Sequence, residues 1–136
     1  MEQGLARILI ADDERTISFF LQKSLEEEDS RYQVEICHSG AEALVKVIRT
    51  PFDLIIADLR MPDLDGLRLL KQALRLNSST KAILMTAYGS DGAEAEAKQI
   101  GAEYIAKPFA MEDMKRLVRR VCGLNNKGGR NDVNGR

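Results

Sequence analysis

Five short runs rich in apolar residues punctuate this chain, and each gives way to a longer stretch with helical spacing. The runs are Arg7–Ala11, Gln33–Cys37, Asp53–Ala57, Lys81–Thr86 and Glu103–Ala106. Their length suits strands rather than helices. After the first run, Ile17, Phe20, Leu21 and Leu25 recur at i, i+3, i+4 and i+8, the stripe of an amphipathic helix. Leu44, Val47 and Ile48 mark the second helix, which closes at Thr50-Pro51 because the residue before a proline is pushed out of helical space. Leu67, Leu70 and Leu74 mark the third, and Met114, Leu117, Val118 and Val121 the last. Between them, Gly92 to Ile100 offers only Ala93, Ala97 and Ile100 as an inward face. That fourth helix buries little area and is expected to dock loosely.

Strand–helix alternation without a repeat predicts an α/β fold, a parallel sheet with helices on both faces. Right-handed crossovers leave few topologies. For five units the natural choice is the doubly wound, flavodoxin-like strand order 2-1-3-4-5. Val34 and Ile36 alternate with Glu35, so the second strand belongs at an edge with one wetter face. A chain of 136 residues fits one domain. We place that domain at residues 5–122 and expect 123–136, with four glycines, four asparagines and almost nothing apolar, to be a flexible tail or linker. A net charge of −1 argues against direct nucleic-acid binding. No apolar run has the roughly 20 residues of a membrane helix. The N-terminus lacks an export signal. Cys37 and Cys122 have no metal-type spacing and read as small, reduced, buried thiols of a cytoplasmic protein.

Chemistry gathers where the strands end. Asp12 and Asp13 follow the first strand, Asp58 the third, Thr86 closes the fourth and Lys107 follows the fifth. In the order 2-1-3-4-5 the first and third strands are neighbours, which sets Asp12, Asp13 and Asp58 side by side at the carboxyl edge, where open α/β sheets bind ligands. Two unit charges about 5 Å apart repel by roughly 3 kcal/mol at an effective dielectric near 20. Three such pairs need raised pKa values or a cation among them. Hard oxygen donors with room for water and phosphate suit Mg²⁺ best. Each residue also has a plain structural use. Asp12 and Asp13 could cap the first helix; Asp58, Asp63 and Asp65 could be turn residues; Thr86 could simply end a strand and Lys107 be a solvated charge. Convergence of an acceptor, acids, a hydroxyl and a cation on one edge favours a phosphoryl site. His38, the single histidine, reads as an ordinary edge residue.

The segments Ile-Ala-Asp-Asp-Glu (10–14), Leu-Ile-Ile-Ala-Asp-Leu-Arg-Met-Pro-Asp-Leu-Asp-Gly (54–66), Met-Thr-Ala-Tyr-Gly (85–89) and Tyr-Ile-Ala-Lys-Pro-Phe (104–109) together resemble the receiver domain of bacterial two-component response regulators. The resemblance runs from about Arg7 to Val121. It implies that Asp58 accepts a phosphoryl group from a phosphohistidine on a histidine kinase or a histidine phosphotransfer protein. It implies a Mg²⁺ ion, with Mn²⁺ able to substitute, held by Asp13, Asp58 and the backbone carbonyl of Arg60, with Asp12 on a metal-bound water. Lys107 and Thr86, with the backbone of Ala87, would bind phosphoryl oxygens, Tyr104 would swing as Thr86 moves, and the bond before Pro108 would be cis.

The implied protein is a signalling switch rather than an enzyme. It would bind a downstream protein through the fourth helix, fifth strand and fifth helix, helped by loop glycines at 89 and 92. Phe109 and the first helix near Thr16 and Ile17 would meet the donor, and Arg60 and Tyr88 would lie beside the site. Dimerisation on phosphorylation is open, although Lys115, Arg116, Arg119 and Arg120 read first as a charged surface. A receiver acting alone is the first expectation, and one cut from a regulator with a DNA-binding or enzymatic output domain the second. A Mg²⁺-dependent phosphatase of the haloacid-dehalogenase type fits poorly. Its Asp-x-Asp nucleophile pattern would follow the first strand, where this chain has Asp-Asp-Glu. A flavodoxin fits less well still, since its first loop donates to phosphate and this one is acidic.

Overall fold

The computed structural model describes residues 4–87 and 92–123. Five strands alternate with five helices: β1 (Ala6–Ala11), α1 (Arg15–Glu28), β2 (Tyr32–Cys37), α2 (Gly40–Arg49), β3 (Leu54–Asp58), α3 (Gly66–Leu76), β4 (Lys81–Ala87), α4 (Ala93–Gln99), β5 (Glu103–Lys107) and α5 (Met111–Cys122). The sheet is parallel throughout, in the order β2-β1-β3-β4-β5. The expected architecture is the observed one. Tyr88, Gly89 and the tail from residue 124, about which the sequence also raised expectations, lie outside the described residues.

Successive strand residues point to opposite faces, and this splits the core in two. Leu9, Ile55 and Leu84 pack with Val47, Leu70 and Ala73 beneath α2 and α3, and Ala93 and Ala97 join them from α4. Ile8, Ile10, Ile56 and Met85 pack on the other face with Leu21 and Leu25 of α1 and Met114 and Val118 of α5. β3, the middle strand, is buried along its whole length. Each fully buried Leu or Ile stabilises by about 1.5–3 kcal/mol, so the strand carrying Asp58 is the most firmly held.

Three helical faces differ from the expectation. Phe20 is 55% exposed and Ile48 63% exposed. Ser18 and Leu69, absent from the expected stripes, are fully buried. Ser18 reaches the interior because its hydroxyl donates to the carbonyls of Glu14 (3.0 Å) and Arg15 (3.1 Å), which satisfies it locally. The cysteines also differ: Cys37 is buried, whereas Cys122 is only partly so.

Candidate functional site

β3, β4 and β5 run one residue further than the apolar pattern suggests. Asp58 and Lys107 are the last residues of β3 and β5, and Thr86 is the penultimate residue of β4. The period of two then assigns faces. Asp58 follows Leu54 and Ile56, Asp12 follows Ile8 and Ile10, and Lys107 follows Ile105, all on the α1/α5 side. Thr86 follows Ala82 and Leu84 on the opposite side, where Tyr104 packs. Leu84 pairs with Tyr104 and Thr86 with Ala106, so Thr86 and Tyr104 are diagonal neighbours across β4 and β5.

On the α1/α5 side, Lys107 Nζ donates to Asp58 Oδ2 (3.0 Å) and Asp12 Oδ2 (3.3 Å), and also to Glu14 Oε1. Oxygens of Asp12, Glu14 and Asp58 all lie within 4.8 Å of one another. Burial pushes the Asp12 carboxyl up to about 6; the Glu14 N–H and Lys107 oppose that rise and Asp58 adds to it. For Lys107, burial opposes the charge, yet hydrogen bonds from its ammonium to Glu14 and Asp58 and the field of Asp12 prevail and hold it above the ordinary ammonium value. One ammonium against three carboxylates leaves an excess of negative charge at a buried edge, and the donors are all hard oxygens. That set fits a divalent cation of the Mg²⁺ kind.

Asp13, Arg60 and Ala87 line a cleft of about 690 Å³ that opens over Asp58. Asp13 is exposed, and it is Glu14 that completes the close trio of acids. Glu14 is not among the expected site residues, although it directly follows two acids at a strand end. The far wall of the cleft is apolar, built from Ile17 and Phe20 of α1 and Pro108, Phe109 and Met111. The Lys107–Pro108 peptide is cis. The Thr86 side chain is fully buried and its hydroxyl lies 3.4 Å from the Ala87 carbonyl.

The β3–α3 loop is braced at both ends. A Cβ on Gly66 would sit 2.3 Å from the Asp58 carbonyl oxygen, so only glycine lets α3 start this close to the end of β3. Asp63 accepts from the N–H groups of Gly40 (3.0 Å) and Ala41 (2.9 Å) at the start of α2. These N–H bonds hold its carboxyl below the usual carboxylate range. Asp65 caps α3 by accepting from the Arg68 N–H at 2.8 Å, and Asp53 accepts from the Arg7 N–H at 2.8 Å. Of the four aspartates between 53 and 65, three are therefore committed to backbone donors. Asp58 has an Oδ1 contact with the Arg60 N–H stretched to 3.4 Å and otherwise faces Lys107. His38 is not an idle edge residue. Its Nδ1 lies 2.9 Å from the Asp12 carbonyl oxygen, and since a carbonyl only accepts, Nδ1 carries the proton.

Comparison with known proteins decides the family. The response regulator receiver domain model matches residues 8–119. The chain belongs to the response regulator receiver family. This receiver is 33% identical over 118 residues to response regulator ArlR of Staphylococcus saprophyticus, covering 86% of the chain and 52% of that relative. It is 32% identical over 119 residues to sporulation initiation phosphotransferase F of Bacillus subtilis, covering 87% and 94%. Among solved structures, a CheY-like receiver from Methanospirillum hungatei superposes with a TM-score of 0.81 at 33% identity, over 92% of this chain and 99% of that one. The chain spans about half the length of the regulators it matches, ArlR among them. It is a receiver domain of two-component signalling. No helix among the described residues is long and apolar enough to cross a membrane.

Proposed function

We propose that this receiver accepts a phosphoryl group on Asp58 from the phosphohistidine of a histidine kinase or histidine phosphotransfer protein in the cytoplasm, and passes the signal on by protein–protein binding. The observation that carries this reading is the Asp58–Lys107 pair. A nearly buried carboxylate meets an ammonium at 3.0 Å under an open cleft, while the neighbouring aspartates are engaged by backbone donors.

Phosphoryl transfer needs positioning and charge neutralisation more than covalent help. A carboxylate oxygen of Asp58 attacks phosphorus, the phosphorus–nitrogen bond of the donor breaks, and the imidazole departs. Lys107 is placed to take a phosphoryl oxygen as charge builds. Asp12, Asp13, Asp58 and the Arg60 carbonyl would hold Mg²⁺ or Mn²⁺, with Glu14 close by. The cation supplies further charge neutralisation at the phosphoryl oxygens. Thr86 and the Ala87 backbone bind another oxygen once the end of β4 shifts, and Tyr104 follows. The population change falls on α4, β5 and α5.

Two arrangements of the whole protein are open to this domain. The match along nearly the full length of the Bacillus phosphotransferase supports a receiver that relays phosphate by itself. The half-length match to ArlR supports a receiver joined to an output domain. The length of the natural reading frame distinguishes them.

Incubation with a small acyl phosphate and Mg²⁺ should add one alkali-labile phosphoryl group. Asp58→Asn should abolish it, and a chelator should suppress it. Labelling of Asp58→Asn at the wild-type rate would overturn the assignment.

A further inference from the structure

The Lys107 ammonium has three N–H donors and three carboxylate neighbours, Asp12, Glu14 and Asp58. Its capacity is filled. If it is to bind a phosphoryl oxygen, one carboxylate must let go. Asp12 is fully buried, and its other oxygen is held by the Glu14 N–H at 2.9 Å. Asp58 is the acceptor itself and nearly buried. Glu14 alone has somewhere to go, because its side chain is 53% exposed at the mouth of the cleft. Nor is it held in place as a helix cap. Glu14 occupies the N-cap position of α1, yet its side chain makes no capping hydrogen bond.

We propose that Glu14 is a displaceable latch on Lys107: it occupies the ammonium in the resting protein and must swing into solvent before Lys107 can take the phosphoryl group. Glu14 is thus a positioning residue acting through Lys107. It sets how readily the site accepts phosphate without touching the phosphorus. This rests on the reading of Asp58 as acceptor. The effect has a definite sign. A contact present at rest and lost in the phosphorylated state opposes phosphorylation, so its removal promotes it. The Glu14 end of the pair is half exposed, which limits its weight to that of a solvent-screened ion pair, roughly two- to fivefold in an equilibrium.

The test uses the full chain with Mg²⁺ and beryllofluoride as the phosphoryl mimic, read by ¹⁹F NMR. Three variants are compared with wild type: Glu14→Ala, Glu14→Asp and Asp58→Asn. Alanine removes both charge and reach; aspartate keeps the charge but is one carbon too short to span to Lys107. Both should bind the mimic about two- to fivefold more tightly than wild type. The gain should survive a rise in salt from 0.05 to about 0.5 M, a range over which long-range repulsion of an anionic ligand is screened. In the metal-free protein both should also shift the Lys107 ammonium resonance, a readout independent of phosphorylation. Several outcomes would overturn the latch: wild-type affinity in both variants, weaker binding in either, or a gain in Glu14→Ala that is missing from Glu14→Asp and fades with salt. Binding of the mimic to Asp58→Asn at wild-type affinity would instead overturn the acceptor assignment, whatever Glu14 does.

Discussion

His38 and Cys37 sit side by side at the end of β2, and each carries a consequence at the scale of one side chain. His38 donates to the carbonyl of Asp12, so it steadies the turn that aims the Asp12 and Asp13 carboxylates. A neutral hydrogen bond of this kind is worth about 1 kcal/mol. His38→Ala is therefore expected to weaken Mg²⁺ binding by roughly fivefold. His38→Asn, whose amide nitrogen lies near the position of Nδ1, should restore most of it. Calorimetric titration of both variants with Mg²⁺ checks this; an asparagine variant no better than alanine would deny the hydrogen bond a role. Cys37 concerns stability. Burial pushes its thiol from 9.0 to about 12. In the unfolded chain the thiol releases its proton near pH 9, while in the folded protein it keeps it. The unfolded state thus binds fewer protons above pH 9, and stability falls as pH rises from there toward 12. The limiting slope is about 1.4 kcal/mol per pH unit for one group. Tyr32, pushed by burial from 10.0 to about 12, adds to the fall above pH 10. Urea unfolding at pH 7.5, 9 and 10.5 should show a flat region followed by a decline, shallower in Cys37→Ala. An unchanged slope in that variant would remove Cys37 as the cause.

At the scale of the elements, the strands were legible in the sequence because each is a short apolar run cut off by polar residues, and β3 is the clearest case. Helical depth was less legible. The spacing of Phe20 and Ile48 matches a core stripe, but periodicity reports direction around a helix and not how far the neighbouring layer extends. Phe20 lines the open cleft, and Ile48 is left facing solvent. The site shows the same limit. Asp58 and Lys107 were readable from strand ends, and Glu14 stands in the same acidic run as Asp12 and Asp13, whereas the His38 contact depends on loop geometry that no spacing encodes. The exposure of Phe20 has a use if α1 receives the phosphodonor protein. Ile17, Phe20, Phe109 and Met111 form the apolar wall beside Asp58, and half-exposed aromatic side chains are common anchors in protein interfaces. Phe20→Ala should leave labelling by a small acyl phosphate within about twofold of wild type while slowing transfer from a phosphohistidine protein by roughly tenfold, an anchor loss of about 1.4 kcal/mol. Equal slowing with both donors would show that Phe20 acts on the chemistry instead of on docking.

On the proposed reading, the molecule separates chemistry from readout by putting them on opposite faces of one sheet. Asp58, Asp12 and Lys107 project with the residues that pack on α1 and α5. Thr86 and Tyr104 project with those that pack against α2, α3 and α4. A signal from the acceptor to α4 therefore has to cross the sheet, and the end of β4 is the short route, since β4 lies between β3 and β5. The receiving side is lightly anchored. α4 has seven residues, of which Ala93 and Ala97 are buried, so moving it forfeits little apolar area. The acceptor side is the reverse, with β3 buried throughout and Gly66 in contact distance of the Asp58 carbonyl. Charge added at Asp58 meets a rigid strand behind it and a yielding helix across the sheet, so the response should concentrate at α4 and β5. Thr86→Ala removes the hydroxyl proposed to couple the two while leaving Asp58, Lys107 and the acids in place. It should phosphorylate within about threefold of wild type, as befits the loss of one neutral hydrogen bond of under 1 kcal/mol. Its backbone amide shifts on phosphorylation should persist around Asp58 and collapse toward zero in Ala93–Gln99 and Glu103–Lys107. Full-size shifts in α4 and β5 of Thr86→Ala would mean that the crossing runs through the backbone of β4 and not through the Thr86 side chain.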